Sequence, residues 1–439
     1  INTIRLEPAI FQLSEAVVKA SKRGRIKKLS AEEVVQRAID AILDNYPTTP
    51  YSQVGYYRDY QLEKQEYLNL NEAVLEVFDN GFKVIDSLTT KVLLYQYKKN
   101  DNFRQDTMAM RSYDYDFSDG AKIVDKAFLP AYGGNEFTIL KVHDAIRNYN
   151  IDTYSFVNRL ETDLLKGHVF SKDDDSYMKE EILFKIKFQK KFGDHSAYGT
   201  LFISKDDYSI YKMIYSVHDD KKEAPLDEND KNGTKKALIY EITTEYRRKG
   251  GKMFLSYISF NNRFEVWEPP KLKLTYVELE AKKKRFTLTF NKKIDWYSAN
   301  DLKKYTAKFE GKKIKFNQLV LFENKVFLYP KLSEEKFLKL YKKIENKSMK
   351  AELNEVSLNF KLTDLKDVDG NVLDYWSSKN YYQFREFFVQ QTKPDRPFQS
   401  YSDTLYMNRK KPIFSGQPTV KPDNFNDYWM NTPLQRYNN

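Results

Sequence analysis

The chain has no cysteine, which excludes disulfides, thiolate nucleophiles, thiolate zinc sites and cysteine-bound iron–sulfur clusters. Histidine is almost as scarce. His143, His168, His195 and His218 fall in four different predicted elements, and no HExxH pair occurs. With only 15 glycines and 14 prolines in 439 residues, collagen-like and low-complexity readings are excluded. No apolar run approaches the roughly 18 residues of a spanning helix, so no transmembrane segment is expected. The opening residues also lack a basic stretch followed by an apolar one, so no signal peptide is read there. Gly-x-Ser-x-Gly, phosphate-loop and dinucleotide fingerprints are missing too. Tyr132-Gly-Gly-Asn135 has glycines but no following Gly or Lys-Ser/Thr.

What is present points to a folded, β-rich chain. Hydrophobic residues make up 41% and charged residues 31%, and the aromatic content is carried by 33 Tyr and 30 Phe, types that favour strands. At this length two to four domains are expected. The net charge of +11 invites a nucleic-acid partner, but its distribution argues against one: −2 over 1–270, +9 over 271–375 and +4 over 376–439.

Along the chain, Ser30 and Glu33 form a predicted capping box. Val35, Ala38, Ile39 and Ile42 then make one apolar stripe, so a helix is expected from Ala31 to about Asn45. A strand is predicted over Tyr51–Tyr60, a short helix over Asn71–Phe78 and a helix over Asn135–Asn148. The period then changes from 3.6 to 2. Strands are expected at Glu181–Lys187, Tyr198–Ser204, Ile210–Val217, Ala237–Tyr246, Lys252–Phe260 and Arg263–Trp267, joined by turns into an antiparallel meander. Pro269-Pro270 marks a boundary, since neither residue has an N–H to donate. Beyond it, seven short strands between Leu272 and Leu362 match a β-sandwich. The expected fold is mainly β or α+β, an antiparallel sheet with helices on one face. The domain reading is a terminal strand over 1–20, a linker over 21–29, an α+β domain over 30–268, a sandwich over 271–375 and an extended arm over 376–439 with one strand at Phe384–Val389.

Two groups of motifs resemble known families. Arg285-Phe-Thr-Leu-Thr-Phe-Asn-Lys-Lys-Ile-Asp295 with Ser298-Ala-Asn300, and Leu365-Lys-Asp-Val-Asp-Gly-Asn371, are similar to the opening and closing strands of bacterial Ig-like domains of the surface-layer type. That resemblance implies a spacer or recognition module without a catalytic set. Leu6-Glu7 and Leu13-Ser-Glu-Ala-Val17-Val18 resemble the last strand and exit linker of a regulatory-like sandwich. Asn45-Tyr-Pro47, Gly55-Tyr-Tyr-Arg-Asp59, Asn71-Glu-Ala-Val74, Tyr132-Gly-Gly-Asn-Glu136, Tyr198-Gly-Thr-Leu-Phe-Ile-Ser204 and Asp427-Tyr-Trp-Met-Asn431 resemble the body that follows it in carboxypeptidase-regulatory-like domain-containing proteins of Bacteroidota. This second resemblance spans nearly the whole chain. It implies export to the periplasm and association with the outer membrane.

Little chemistry is legible in the residues themselves. The four histidines read as surface or satisfied groups. Asp227–Gly233 and Asp364–Gly370 read as turns, because neither pairs a glycine at position 6 with an acidic residue at position 12 of a calcium loop, and Asp173-Asp174-Asp175 reads as a solvated loop tip. No catalytic residue, cofactor or metal ligand is assigned. The expected function is a non-catalytic periplasmic accessory or scaffold protein beside an outer-membrane β-barrel protein or its complex. The alternative is a glycan- or lipid-binding module of the envelope, since aromatic faces stack on sugars and line apolar pockets. The expected docking element is the Pro-rich arm, anchored by Asp427, Tyr428, Trp429 and Met430, because Trp and Tyr dominate binding hot spots.

Overall fold

The computed structural model describes residues 29–86, 90–110, 122–123, 136–151, 157, 159–178, 181–223, 236–348, 358–397, 403–431 and 433–434. The expected terminal strand over 1–20 and all of the expected linker except Leu29 lie outside these residues. The fold is mainly β and antiparallel, with few helices. Two compact units are present, Ile1–Val266 with Asn380–Asn439, and Trp267–Lys379. No helix among the described residues is long and apolar enough to cross a membrane.

The first unit opens on the helix Ala31–Asp40, continued after Ala41 by the short helix Ile42–Asn45. Its capping box is formed: Glu33 N donates to Ser30 Oγ at 3.1 Å, and Ser30 N donates to Glu33 Oε2 at 2.6 Å. Its buried face is Val34, Val35, Ala38 and Ile39. One large sheet follows: β1 (Tyr51–Glu63), β2 (Glu66–Asp79), β3 (Lys91–Lys99), β4 (Lys122–Ile123), β5 (Val169–Lys172), β6 (Ser176–Met178), β7 (Glu181–Phe192), β8 (His195–Ser204), β9 (Ile210–Glu223), β10 (Lys236–Lys249) and β11 (Lys252–Glu268). Strands β7 to β11 succeed one another as an antiparallel meander. The two strands expected on either side of Phe260 are one, β11, which ends immediately before Pro269-Pro270.

Three expectations need correction. Asn71–Phe78 is not a helix but most of β2. Ala73, Leu75 and Val77 face the main core, whereas Val74 and Phe78 face a second cluster with Tyr406 and Tyr428, so both faces are apolar and the period of 2 is hidden. The helix expected over Asn135–Asn148 is confined to Glu136–Val142, with turns beyond it.

The third correction concerns the C-terminal arm. Residues 377–393 form a 17-residue strand that lies between β1 and β11, in the middle of the sheet order β3-β2-β1-β19-β11-β10-β9-β8-β7-β5, where β19 is Ser377–Lys393. The strand is paired on both sides, and its flanks are supplied by residues more than 100 positions away in sequence. Residues after Lys393 do run extended, along the β3 edge. Met407 N donates to Val92 O and Val420 N to Leu94 O, both at 2.8 Å.

Among its described residues the second unit has seven strands of its own, the number expected. They are β12 (Leu274–Glu280), β13 (Arg285–Phe290), β14 (Tyr305–Phe309), β15 (Lys312–Ile314), β16 (Phe316–Phe322), β17 (Lys325–Pro330) and β18 (Leu358–Leu362). They form two sheets, β12-β13-β17-β16 and β15-β14-β18, whose inward residues, among them Phe286, Leu288, Leu328, Tyr305 and Ala307, build one core. A helix not anticipated from the sequence, Glu334–Ser348, adds Ile344 and Leu340 to that core.

Candidate functional site

The residues expected to anchor docking lie against the chain's own sheet. Tyr428 is buried, and its hydroxyl donates to Gln391 Oε1 at 2.6 Å. Gln390 clamps the next residue from both sides: Trp429 N donates to Gln390 Oε1, and Gln390 Nε2 donates to Trp429 O, both at 2.8 Å. Met430 packs with Tyr428 on Val54, Val74 and Phe78, while Asp427 stays exposed with Asn424 as its side-chain partner. The four residues do not act alike. Tyr428 and Met430 hold the segment down, and Trp429 keeps 44% of its surface exposed.

Trp429 sits 5.4 Å from Tyr56 and 6.2 Å from Phe388, ring centre to ring centre. Phe388 continues to Tyr257 at 4.9 Å, and farther along the same strands Tyr60 and Phe384 stack at 4.9 Å with planes 6° apart. The result is an aromatic platform on the sheet face opposite the main core, built from β1, β19, β11 and the C-terminal segment. It belongs to the first unit alone. Beneath it Arg58 Nε pairs with Glu386 Oε2 at 2.6 Å, and Tyr257 donates to Glu386 Oε1 at 2.8 Å. Burial works against the Arg58 charge, but the Glu386 carboxylate outweighs it and raises the guanidinium above its ordinary range. Burial, reinforced by Glu386, also raises the Tyr257 phenol far above its usual value, so the platform carries no titrating group near neutrality from either residue. Sequence reasoning missed Tyr56, Tyr257 and Phe388. Alternation within β1 and β19 could have put Tyr56 with Tyr60, and Phe384 with Phe388, on common faces.

Three of the four histidines weighed from the sequence, His143, His168 and His218, are buried. His143 stacks on Phe260 at 4.1 Å, accompanies the Ile139 carbonyl at 2.6 Å, and is pushed down by burial to about 4, which keeps it neutral. Burial also lowers His168 to about 4. His218 Nε2 lies 3.1 Å from Ser216 Oγ and Nδ1 3.3 Å from Lys236 O, with both side chains buried. Nearby, Ser196 Oγ donates to Asp220, whose carboxylate Lys236 holds at 2.7 Å. Burial opposes ionisation of Asp220, but Lys236 and Ser196 lower its pKa overall, which makes it a poor proton acceptor.

A small cavity of about 20 Å³, the space of one or two waters, lies between the helix Glu136–Val142 and the sheet. The charged groups on it are already spoken for. Arg147 binds Asp79 through two bonds of 2.8 and 2.9 Å and also reaches the carbonyls of Gly81 and Val84, while Lys141 pairs with Asp86 at 3.2 Å.

Of the acidic turns, Asp367 accepts the N–H groups of Asp369 and Asn371, and Asp173 pairs with Lys185 and Lys187. Asp227–Gly233 lies outside the described residues. Among the described residues no group of three or more His, Asp or Glu side chains is placed to hold a metal ion.

No family model matches this chain. No curated protein matches it either. Among solved structures it is similar to a LolA superfamily protein of Nitrosomonas europaea, at 7% identity over 54% of this chain and 86% of the other, with a TM-score of 0.21. A likeness of that degree carries no argument about fold or ligand.

Proposed function

We propose that the protein is a non-catalytic accessory or scaffold protein that works by docking, beside an outer-membrane protein complex in the periplasm. The compartment and partner rest on the family resemblance of the sequence. The docking role is supported by one observation: Trp429 is clamped through its backbone by Gln390 yet left 44% exposed against packed, tilted rings. A clamped, amphipathic aromatic loses little conformational entropy on binding, which is what a hot spot needs. The paired state of the buried charges favours docking over proton-transfer chemistry. We further propose that the seven-stranded second unit is the Ig-like spacer that its motifs resemble.

The test is co-purification from detergent-solubilised outer membranes with the intact chain and with Trp429→Ala. Unchanged thermal stability with lost co-purification supports docking. A large loss of stability, or unchanged co-purification, assigns Trp429 to the chain's own packing and rejects it. The second reading, a glycan- or lipid-binding module, is favoured by the exposed ring of Trp429 beside the partly buried Phe388 and Tyr257, since flat aromatic faces stack on sugar rings. Quenching of Trp429 fluorescence by envelope glycans, lost in Trp429→Ala, would select it.

A further inference from the structure

Five strands other than β16 end a sheet order, and each carries charge: Lys98 and Lys99 on β3, Lys172 on β5, Glu278 and Glu280 on β12, Lys312 and Lys313 on β15, and Lys361 on β18. Charged edges discourage the row of unpaired N–H and C=O groups from pairing with another chain. The β16 strand is the exception. Phe316-Asn-Gln-Leu-Val-Leu-Phe322 has no charged residue and no proline, and among the described residues it pairs only with β17. Its inward residues Leu319 and Leu321 pack on the core, whereas Val320 and Phe322 are 38% and 61% exposed. An uncharged, β-prone edge with exposed apolar side chains is an open pairing site.

We infer that β16 is a self-association edge, pairing antiparallel with β16 of a second copy of this chain. The flanks supply the charge complementarity. Lys315 precedes the strand and Glu323 follows it, both are exposed, and neither has an ion-pair partner among the described residues. A two-fold axis at Leu319 sets Leu319 opposite the partner's Leu319 and Gln318 opposite the partner's Val320. The Lys315 end of one strand then meets the partner's β16–β17 turn, where Glu323 stands at a positive φ, and, because a two-fold contact is made twice, the same opposition of charge recurs at the other end. In this register Leu319 meets the partner's Leu319 and Phe316 the partner's Phe322, Gln318 and Asn317 lie opposite the partner's Val320 and Leu321, and both charged ends meet opposite charge; a shifted register separates them. The inference concerns the second unit and is independent of the platform reading.

Sedimentation of the full chain over a wide concentration range tests it. The chain dimerises reversibly, and Val320→Lys, at an exposed position, gives a monomer with an unchanged melting midpoint. Lys315→Glu and Glu323→Lys each set like charges opposite each other twice and weaken the dimer about tenfold, and the double reversal restores it. A chain that stays monomeric throughout overturns the inference, including the case in which an extended peptide of another protein takes the edge. So does a dimer whose affinity is the same in Val320→Lys, or in which the double reversal is no tighter than the single ones.

Discussion

Arg58 and Glu386 are direct cross-strand partners in the β1–β19 pairing, 328 residues apart in sequence, and their side chains meet at 2.6 Å in a buried ion pair. The next pair in the ladder, Asp59 opposite Arg385, has the charges reversed and points to the other face of the sheet. A slip of one residue would set Arg58 opposite Arg385 or Phe387 and leave buried charges unpaired on both faces. The Arg58–Glu386 pair therefore favours one register of a distant segment in the centre of the sheet, while Arg385 on the other face pairs with Glu136.

Removing one member of the first pair should be costly. Glu386→Gln leaves the Arg58 guanidinium buried over the Phe388 ring without its carboxylate, so a loss of about 3 kcal/mol is expected in urea unfolding. The double variant Arg58→Met with Glu386→Leu recovers most of it. A cost below about 0.5 kcal/mol for the single change would show that the pair does not hold the strand.

Gly199 stands opposite Phe188 in the β7–β8 ladder, and a Cβ there would lie 2.1 Å from the Phe188 ring. Gly199→Ala therefore forces the ring off its rotamer and should cost about 1–3 kcal/mol. Phe188→Leu combined with Gly199→Ala should be less than additive, as a double-mutant cycle would show.

Burial, aided by the Glu136 charge, raises Asp59 from an ordinary 3.8 to about 7. Between those values the folded chain holds a proton that the unfolded chain has released, so this residue's contribution to stability falls as the pH rises from about 4 to 7. His143, lowered from 6.5 to about 4, works in the opposite sense: its contribution is lost as the pH falls through that window. Asp59→Asn should steepen the rise of stability with pH over this range, and His143→Phe should flatten it. Melting curves at half-unit intervals read both, and parallel curves for wild type and Asp59→Asn would reject the first assignment.

Tyr428→Ala removes a buried ring and its bond to Gln391. Amide exchange in 403–431 should quicken by at least tenfold, with that of β19 little changed, because the segment is fixed mainly by this side of the sheet. Equal loss of protection in β19 would show that the segment and the sheet unfold together.

Where local signals govern, the sequence was enough: Ser30 with Glu33 starts a helix, and the alternation from Glu181 to Trp267 predicts the meander and the mainly β class. The helix Glu334–Ser348 was legible and missed; Phe337, Leu340 and Ile344 recur at helical spacing after Ser333. Strand β2 was not legible by period, because Val74 and Phe78 are covered by Tyr406 and Tyr428 from the far end of the chain, which makes both faces apolar. The sequence also named Trp429 but not its setting. Tyr56, Tyr257 and Phe388 join it only because β19 returns to lie between β1 and β11, and pairing across more than 100 residues is decided by packing and buried charge rather than by any neighbour in sequence.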